Sequence, residues 1–291
     1  ETARIFIRNI LMKKNSIILI LTFLIFTLNS NGISAELIMA GGKTWDVKII
    51  QRIKTDQKDS LQLSINGRIA GIPVSAVKQI NYDINLNIDK LIELKEQRKY
   101  SLLINKLNDS LKPYELYEDI PSNLTKYKSL LMELYFLVND YDNVISFANN
   151  IEKYSKDEEL KSSAQVFLAR SYIKNGSADR AEKLLKSNGW FDEISSNSNP
   201  EKLFILAELM RLKEDYNRAM ELVSYIIAFN SQDTKWTQPS ELLCAELYVE
   251  LKMYESAKEV INQISLLYPD SIENEKANEL AMKIEIIESE I

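Results

Sequence analysis

The sequence contains no histidine among its 291 residues, and this absence excludes several kinds of chemistry. Ser-His-Asp and Cys-His nucleophiles, histidine metal sites and imidazole acid-base catalysis all require that side chain. Cysteine occurs once, as Cys244, so no internal disulfide can form and stability must come from packing. We expect Cys244 to be a small buried core residue.

Positive charge is not in excess either. The chain carries 42 Asp and Glu against 36 Lys and Arg, a formal net charge of -6 at pH 7. Proteins bind the phosphate backbone of nucleic acids through clustered Lys and Arg, so this balance does not favour electrostatic capture of nucleic acid. We therefore expect no nucleic-acid partner.

Motifs for cofactors and metal ions are also lacking. The stretch 42–44 (GKT) is similar to the end of a phosphate-binding loop, but Leu37 stands where the leading glycine is needed and no strand is expected before it. The acidic runs 115–119 and 157–159 lack the spacing and the glycine of a calcium loop, and such runs are commonly solvated surface. The sequence predicts neither a cofactor nor a metal site.

The N-terminal stretch is typical of a secretory signal peptide. Met12 opens a short basic region, the apolar run 17–28 follows, and small residues come next. The run is shorter than the roughly 20 apolar residues that span a bilayer, which favours cleavage over permanent anchoring. Cleavage is expected after Gly32 or Ala35, with Ala35 preferred. The sequence thus predicts an exported protein, periplasmic or secreted, that contacts a membrane only through an uncleaved signal segment.

The chain divides into three predicted parts. Residues 1–35 form the signal peptide, of which 1–11 lie upstream of a plausible initiator methionine. Residues 36–83 form a small β unit and residues 84–291 a helical repeat domain, because the apolar period changes near residue 84 from two to about 3.6 residues. The final helix, from Ile272 onward, is expected to cap the open end of the helical stack.

Alternating apolar residues predict the strands of the β unit. Trp45, Val47, Ile49 and Ile53 lie on odd positions, and odd positions are apolar again in 61–65. The Asn-Gly pair at 66–67 suits a two-residue hairpin because both residues tolerate positive φ. A third strand is expected over 69–74, and a single helical turn should then return 75–82 to the sheet. The number and length of these strands are similar to SH3-like or Sm-like units.

A pattern of helix, short turn and helix recurs downstream every 38 residues. Alanine marks both helices of each unit, at Ala169, Ala207 and Ala245 in the first helices and at Ala181, Ala219 and Ala257 in the second. Small residues let two helices cross closely, and a hairpin with one apolar face must stack on a neighbour to bury that face. With two weaker upstream units near Tyr100 and Tyr141, the pattern predicts five stacked hairpins with no proline inside a helix.

These residues resemble the tetratricopeptide-repeat family, whose pattern has small residues in both helices, an aromatic residue at the turn and a proline near the end. The best unit fills those places with Ala245, Tyr248, Tyr254, Ala257 and Pro269. The resemblance covers residues 85–270 and is clearest in the last three units. It implies a mainly α protein, an α-α superhelix that stacks helical hairpins into a solenoid.

The resemblance also implies that the first helices line a concave face that binds an extended peptide or a partner helix. Carried over residue by residue, the outward positions are Glu133, Phe136, Val166, Arg170, Ile173, Phe204, Glu208, Arg211, Leu242, Glu246 and Val249. A peptide-binding site requires apolar side chains that anchor the peptide and charged residues around them. The alternative is that Val166, Phe204 and Leu242 pack between hairpins. Trp190 and Trp236 are expected to pack locally.

The favoured interpretation is an exported, non-enzymatic scaffold that mediates protein–protein interactions in the cell envelope. It would bind a protein or peptide partner and need no cofactor. Two alternatives are open. The chain could be a carboxylate-dependent hydrolase of an envelope polymer, or a structural subunit that assembles through its β unit and uses the helices as a spacer.

Overall fold

The computed structural model describes residues 32–192, 194–195 and 198–289. The predicted signal peptide lies outside these residues, apart from positions 32–35. Two compact units divide the chain: the first runs to Leu130 and takes in Lys153–Asp157, and the second comprises Leu131–Glu152 and the chain from Glu158 onward. Within the described ranges, no helix has both the length and the hydropathy that crossing a membrane would require.

A five-stranded antiparallel sheet opens the first unit. Its strands are β1 (Ile33–Met39), β2 (Thr44–Thr55), β3 (Lys58–Ile65), β4 (Arg68–Pro73) and β5 (Val77–Tyr82). The order in the sheet is β4-β3-β2-β1-β5, so β1 to β4 form a meander and β5 returns to the side of β1. The predicted hairpin at Asn66 and Gly67 is confirmed, with φ values of 48° and 78°. A 3₁₀ turn over Val74–Ala76 confirms the single helical turn.

Strand β1 is not predicted from the sequence, because its first residues fall within the predicted signal peptide. Ala35 instead pairs with Val47 of β2 and with Tyr82 of β5. The expectation that no strand precedes the stretch 42–44 is therefore wrong. That stretch forms the turn between β1 and β2 and leads into a strand, whereas a phosphate-binding loop must lead into a helix.

One face of the sheet is apolar and buried, because side chains alternate between the two faces of each strand. Its fully buried members include Leu37, Ile49, Leu61, Leu63 and Ile80. The chain that follows the sheet forms α1 (Ile88–Glu96), α2 (Tyr100–Leu111) and a 3₁₀ helix (Lys112–Tyr117). Side chains from the end of this stretch pack into the same core; they are Tyr114, Tyr117, Ile120 and Leu124.

A buried arginine ties this helical stretch to the sheet. The Arg52 side chain is 5% exposed and ion-pairs with Asp59 of β3 and with Asp119. Its Nη1 also donates a hydrogen bond to the carbonyl oxygen of Leu116, 2.7 Å away. The hydrogen bond from Arg52 outweighs the effect of burial and holds the pKa of the Asp119 carboxyl far below its usual range.

The helices from residue 124 onward follow the predicted hairpins. They are α3 (Leu124–Leu137), α4 (Tyr141–Tyr154), α5 (Glu158–Lys174), α6 (Ala178–Ser187), α7 (Pro200–Leu212), α8 (Tyr216–Phe229), α9 (Thr234–Glu250), α10 (Tyr254–Leu267) and α11 (Ile272–Ser289). In the second unit, α5 pairs with α6, α7 with α8 and α9 with α10, and α11 packs on the last pair. The six periodic alanines, at 169, 181, 207, 219, 245 and 257, are all 0% exposed, which confirms their predicted place between close helices.

The turn between the two helices has the same backbone geometry in all five hairpins. One residue in each turn has a left-handed backbone, namely Arg98, Asn139, Gly176, Glu214 and Lys252, with φ between 53° and 71°. In the last turn the Lys252 N–H donates to the carbonyl of Val249 at 2.9 Å, and the Met253 N–H to that of Tyr248 at 2.8 Å. This pair of bonds is the Schellman ending of a helix, which satisfies carbonyls that the helix leaves unpaired.

The prediction that no proline interrupts a helix is wrong at Pro239, which lies inside α9. The helix starts earlier than the sequence suggests, since the N–H groups of Trp236 and Thr237 already donate to the carbonyl of Asp233. Pro239 then falls in the second turn and removes one backbone hydrogen bond. The residues just before Pro239, 234–238, are therefore helical.

Candidate partner-binding site

The first helices of the last three hairpins, α5, α7 and α9, contact one another in succession. Ion pairs join these helices across neighbouring hairpins. Arg170 of α5 ion-pairs with Glu208 of α7, its counterpart one 38-residue repeat later, and Arg211 of α7 ion-pairs with Glu246 of α9. We define the first-helix face as the solvent-contacting residues around these pairs, which are Phe136, Arg170, Lys174, Arg211, Glu246 and Glu250.

Five of the eleven predicted site residues are buried. Val166, Ile173, Phe204, Glu208 and Leu242 are between 4% and 7% exposed. The four apolar ones belong to the cores that hold the hairpins together, which agrees with the packing alternative for three of them. They support the face from beneath, and the partner-binding role of the predicted set stays a prediction.

The other six predicted residues are half-buried and reach solvent: Glu133, Phe136, Arg170, Arg211, Glu246 and Val249. Phe136 is held by edge-on contacts with the rings of Tyr141 and Phe167, whose centroids lie 5.5 Å and 5.4 Å away. The structure thus presents one fixed aromatic ring beside charged groups, a combination that suits recognition of a partner.

Arg170 is the most connected side chain of the face. Its guanidinium carbon lies 4.7 Å from the centroid of the Phe136 ring and 5.5 Å from that of Phe204. Its Nε donates to Oε2 of Glu208 at 3.3 Å, while Lys174 Nζ lies 2.7 Å from Oε1 of the same carboxylate. A planar guanidinium can make ring contacts and an ion pair together, which lysine cannot match.

Glu208 is a buried carboxylate kept ionised by its neighbours. Burial alone would raise the pKa of Glu208, but the charges of Arg170 and Lys174 and their hydrogen bonds bring the pKa below the ordinary 4.5. Its two carboxylate oxygens are each held by a cation, so Glu208 is an ion-pair partner of Arg170 and Lys174.

The second ion pair of the face is more open to solvent. Arg211 and Glu246 are each 31% exposed, and Nη2 of Arg211 lies 3.3 Å from Oε1 of Glu250. Exposed pairs contribute little to stability, so these groups can exchange partners at low cost. Basic groups on α5 and acidic groups on α9 also give the face opposite charge at its two ends.

Two residues of the face were missed from the sequence, Lys174 and Glu250. Each lies four residues after a predicted one, Arg170 and Glu246, and therefore one turn further along the same side of its helix. Extending the predicted positions by one helical turn would have found both.

The tryptophans and the cysteine pack locally. Trp236 is buried and its ring centroid lies 5.5 Å from that of Phe204, while Trp190 packs against the same core. Cys244 is buried, as expected, with its Sγ 3.6 Å from Sδ of Met220. Burial raises the pKa of the Cys244 thiol to about 11, so the thiol is protonated and unreactive at neutral pH.

The two acidic runs, 115–119 and 157–159, form ion pairs with lysine and arginine side chains. Asp119 pairs with Arg52 and Lys54, and Glu118 pairs with Lys128. Glu158 pairs with Lys161 on its own helix. Among the residues that the structure describes, no group of three or more cysteine or carboxylate side chains could hold a metal ion.

Comparisons with known proteins identify the fold of the helical part. No protein-family model and no curated protein matches the chain. A solved tetratricopeptide repeat protein from Parabacteroides merdae is similar over 69% of this chain and 70% of its own, with 15% identity and a TM-score of 0.51. The Cut9-Hcn1 structure from an APC/C hetero-tetramer is similar over 68% of this chain, with 15% identity and a TM-score of 0.50. The chain spans only 35% of that protein.

Proposed function

We propose that this chain, whose helical part has the tetratricopeptide-repeat fold, is a non-enzymatic scaffold that binds a protein or peptide on its first-helix face. The observation that carries the proposal is the row of ion pairs across α5, α7 and α9, in which the Arg170–Glu208 pair is largely buried and Arg211, Glu246 and Glu250 are more open to solvent. A buried ion pair with solvent-accessible charges beside it, which can pair with groups of a partner, suits the binding of a peptide.

The polarity of the face defines the kind of segment it fits. Arg170 and Lys174 lie at the α5 end, and Glu246 and Glu250 lie at the α9 end. An extended segment with acidic residues at one end, basic residues at the other and an apolar side chain for Phe136 would complement it. Charge complementarity of this kind determines orientation and partner choice more than raw affinity.

Export to the cell envelope is part of the proposal. It is supported by the basic start at Met12, the apolar run 17–28 and the small residues after it. We also propose that the sheet is SH3-like or Sm-like. Support comes from its five antiparallel strands, from the return of β5 to β1 and from the 3₁₀ turn that separates β4 from β5.

A charge swap tests the face while it keeps the Arg211–Glu246 pair in reverse. Arg211→Glu combined with Glu246→Arg re-forms that pair and gives up the longer contact of Arg211 with Glu250. Pairs as open to solvent as these contribute little to stability, so the fold should persist while the charge pattern changes. Proteins that copurify with the wild-type chain are identified by mass spectrometry, and their capture is compared with that by the swapped chain. We expect capture to fall at least about tenfold, which corresponds to about 1.4 kcal/mol.

The matched control swaps an ion pair on a second helix, Arg218→Glu with Glu221→Arg on α8. This variant should capture partners as the wild type does. Equal capture of every partner by the wild type and the Arg211/Glu246 swap would reject the first-helix face. Thermal unfolding of each variant confirms that a loss of capture is not a loss of fold.

The exposed edge of the sheet favours a second candidate, a structural subunit that assembles through its β unit. Among the residues that the structure describes, strand β4 has a strand neighbour on one side only, and its Ile69 is 61% exposed. Unpaired strand edges readily accept a strand from another chain. Ile69→Lys should then abolish assembly while capture on the first-helix face continues.

A further inference from the structure

The structure shows what the sheet needs from the residues near the predicted processing site. Strand β1 lies between β2 and β5 and pairs with both. Ile33 pairs with Ile49, Ser34 with Lys48, and Ala35 with Val47. The carbonyl of Ser34 also accepts a hydrogen bond from the N–H of Asp83, 3.0 Å away. The first three residues of β1 are therefore paired into the sheet: all three pair with β2, and Ala35 pairs with β5 as well.

A cut after Ala35, the site preferred from sequence, would remove all three of these residues. Ala35 is 7% exposed and belongs to the core of the sheet together with Leu37 and Tyr82. Its loss would leave the ends of β2 and β5 without a neighbour on that side and would put a charged amino terminus in the middle of the former strand. Buried backbone groups without partners cost free energy. A cut after Gly32 leaves the strand complete.

The sequence around Gly32 agrees with this requirement. The protease that removes a signal peptide requires a small residue directly before the cut and another small residue two positions earlier, as in Ala-x-Ala. Ser30 and Gly32 provide that pattern, whereas a cut after Ala35 would place the large, β-branched Ile33 at the first of the two positions. The fold and the local sequence thus select the same bond by independent routes.

We infer that the chain is processed between Gly32 and Ile33, so that the mature protein begins with the first residue of β1. This inference rests on the proposed export. A side-chain carbon added at Gly32 would lie 3.1 Å from the carbonyl oxygen of Ile49, so in the folded protein this residue lies tightly against β2. Proteolysis needs an accessible, extended segment, and cleavage must therefore precede closure of the sheet.

The test expresses the full chain with a C-terminal tag in an export-competent bacterial host and determines the N-terminus by intact mass and N-terminal sequencing. A mature chain that begins at Ile33 supports the inference, and one that begins at Glu36 overturns it. An exported chain with an uncut N-terminus overturns the processing site but leaves export standing. A chain that stays in the cytoplasm overturns the export proposal and the processing site with it.

Two further comparisons separate recognition from folding. Gly32→Leu should block processing, so that the precursor accumulates. Asn31→Leu, at the intervening position, is the control and should be processed normally. Normal processing of the Gly32→Leu variant would overturn the proposed site. Purified chains that begin at Ile33 and at Glu36 are then unfolded thermally. The shorter chain should have a lower unfolding temperature, and equal temperatures would overturn the claim that the sheet needs these residues.

Discussion

Nε of Arg170 donates a hydrogen bond to Oε2 of Glu208, 3.3 Å away and 38 residues later in the chain. The bond joins the first helices of two successive hairpins at equivalent places in the repeat. Because Glu208 is buried and Arg170 also contacts two aromatic rings, this pair forms a rigid base for the first-helix face. Its removal should affect the fold before it affects binding.

Arg170→Met should destabilise the second unit by about 2 kcal/mol, because it leaves a buried carboxylate with Lys174 as its remaining cationic partner. Urea unfolding followed by circular dichroism measures the change. Arg211→Met is the matched control on the same face, and its half-exposed ion pairs should contribute less than about 1 kcal/mol. Equal losses for the two variants would contradict the distinction between a rigid and an open pair.

Glu208→Gln should reduce the dependence of stability on pH. The pKa of Glu208 is lower in the folded protein than its ordinary value, so the ionised group stabilises the fold above that value and this contribution is lost as pH falls through the folded pKa. The free energy of unfolding, measured at about pH 7 and about pH 4, should fall more for the wild type than for the variant. The same fall in both proteins would contradict the assignment.

Lys252→Gly should stabilise the protein by about 1 kcal/mol, because Lys252 has a φ of 59° and a left-handed backbone costs a residue with a side chain about that much. Gly176→Ala, at the equivalent turn, should destabilise by a similar amount although space is open around Gly176. Thermal unfolding of both variants provides the measurement. Changes of the same sign at the two turns would show that backbone strain is not the cause.

Ala207→Leu should destabilise the stack by about 1–3 kcal/mol, since Ala207 is 0% exposed and extra carbon atoms would force the helices apart. Ala228→Leu is the control, because Ala228 lies exposed on α8 and can accept the larger side chain. Chemical denaturation compares the two. If Ala207→Leu is tolerated as well as Ala228→Leu, then the small residue is not needed for close helix packing.

The repeat could be predicted because it depends on local patterns. Ala207 and Ala245 mark close helix crossings, and the spacing of apolar residues around them defines each helix, so five hairpins follow without any knowledge of tertiary contacts. Strand β1 could not be predicted. Ile33 and Ala35 lie within the predicted signal peptide, and only their pairing with β2 and β5 shows that they are strand residues.

The candidate site was predicted in part for a similar reason. Outward positions on the first helices follow from helical geometry, and this placed Arg170, Arg211 and Glu246 on one face. Burial depends on what the neighbouring hairpin presents, so the sequence did not show that Phe204 and Leu242 lie beneath the face. The start of α9 ahead of Pro239 was hidden because proline marks a helix end in most sequences.

The sequence by itself determined the kind of protein: a small β unit followed along the chain by stacked helical hairpins, without histidine or a disulfide and with an acidic net charge. Tertiary structure alone decided which outward residues stay in solvent, which ion pairs are buried, and that β1 begins at Ile33. The physical reason is the distance along the chain over which each interaction acts. Helix periodicity acts over a few residues, whereas burial and strand pairing are set by segments that meet from distant parts of the chain.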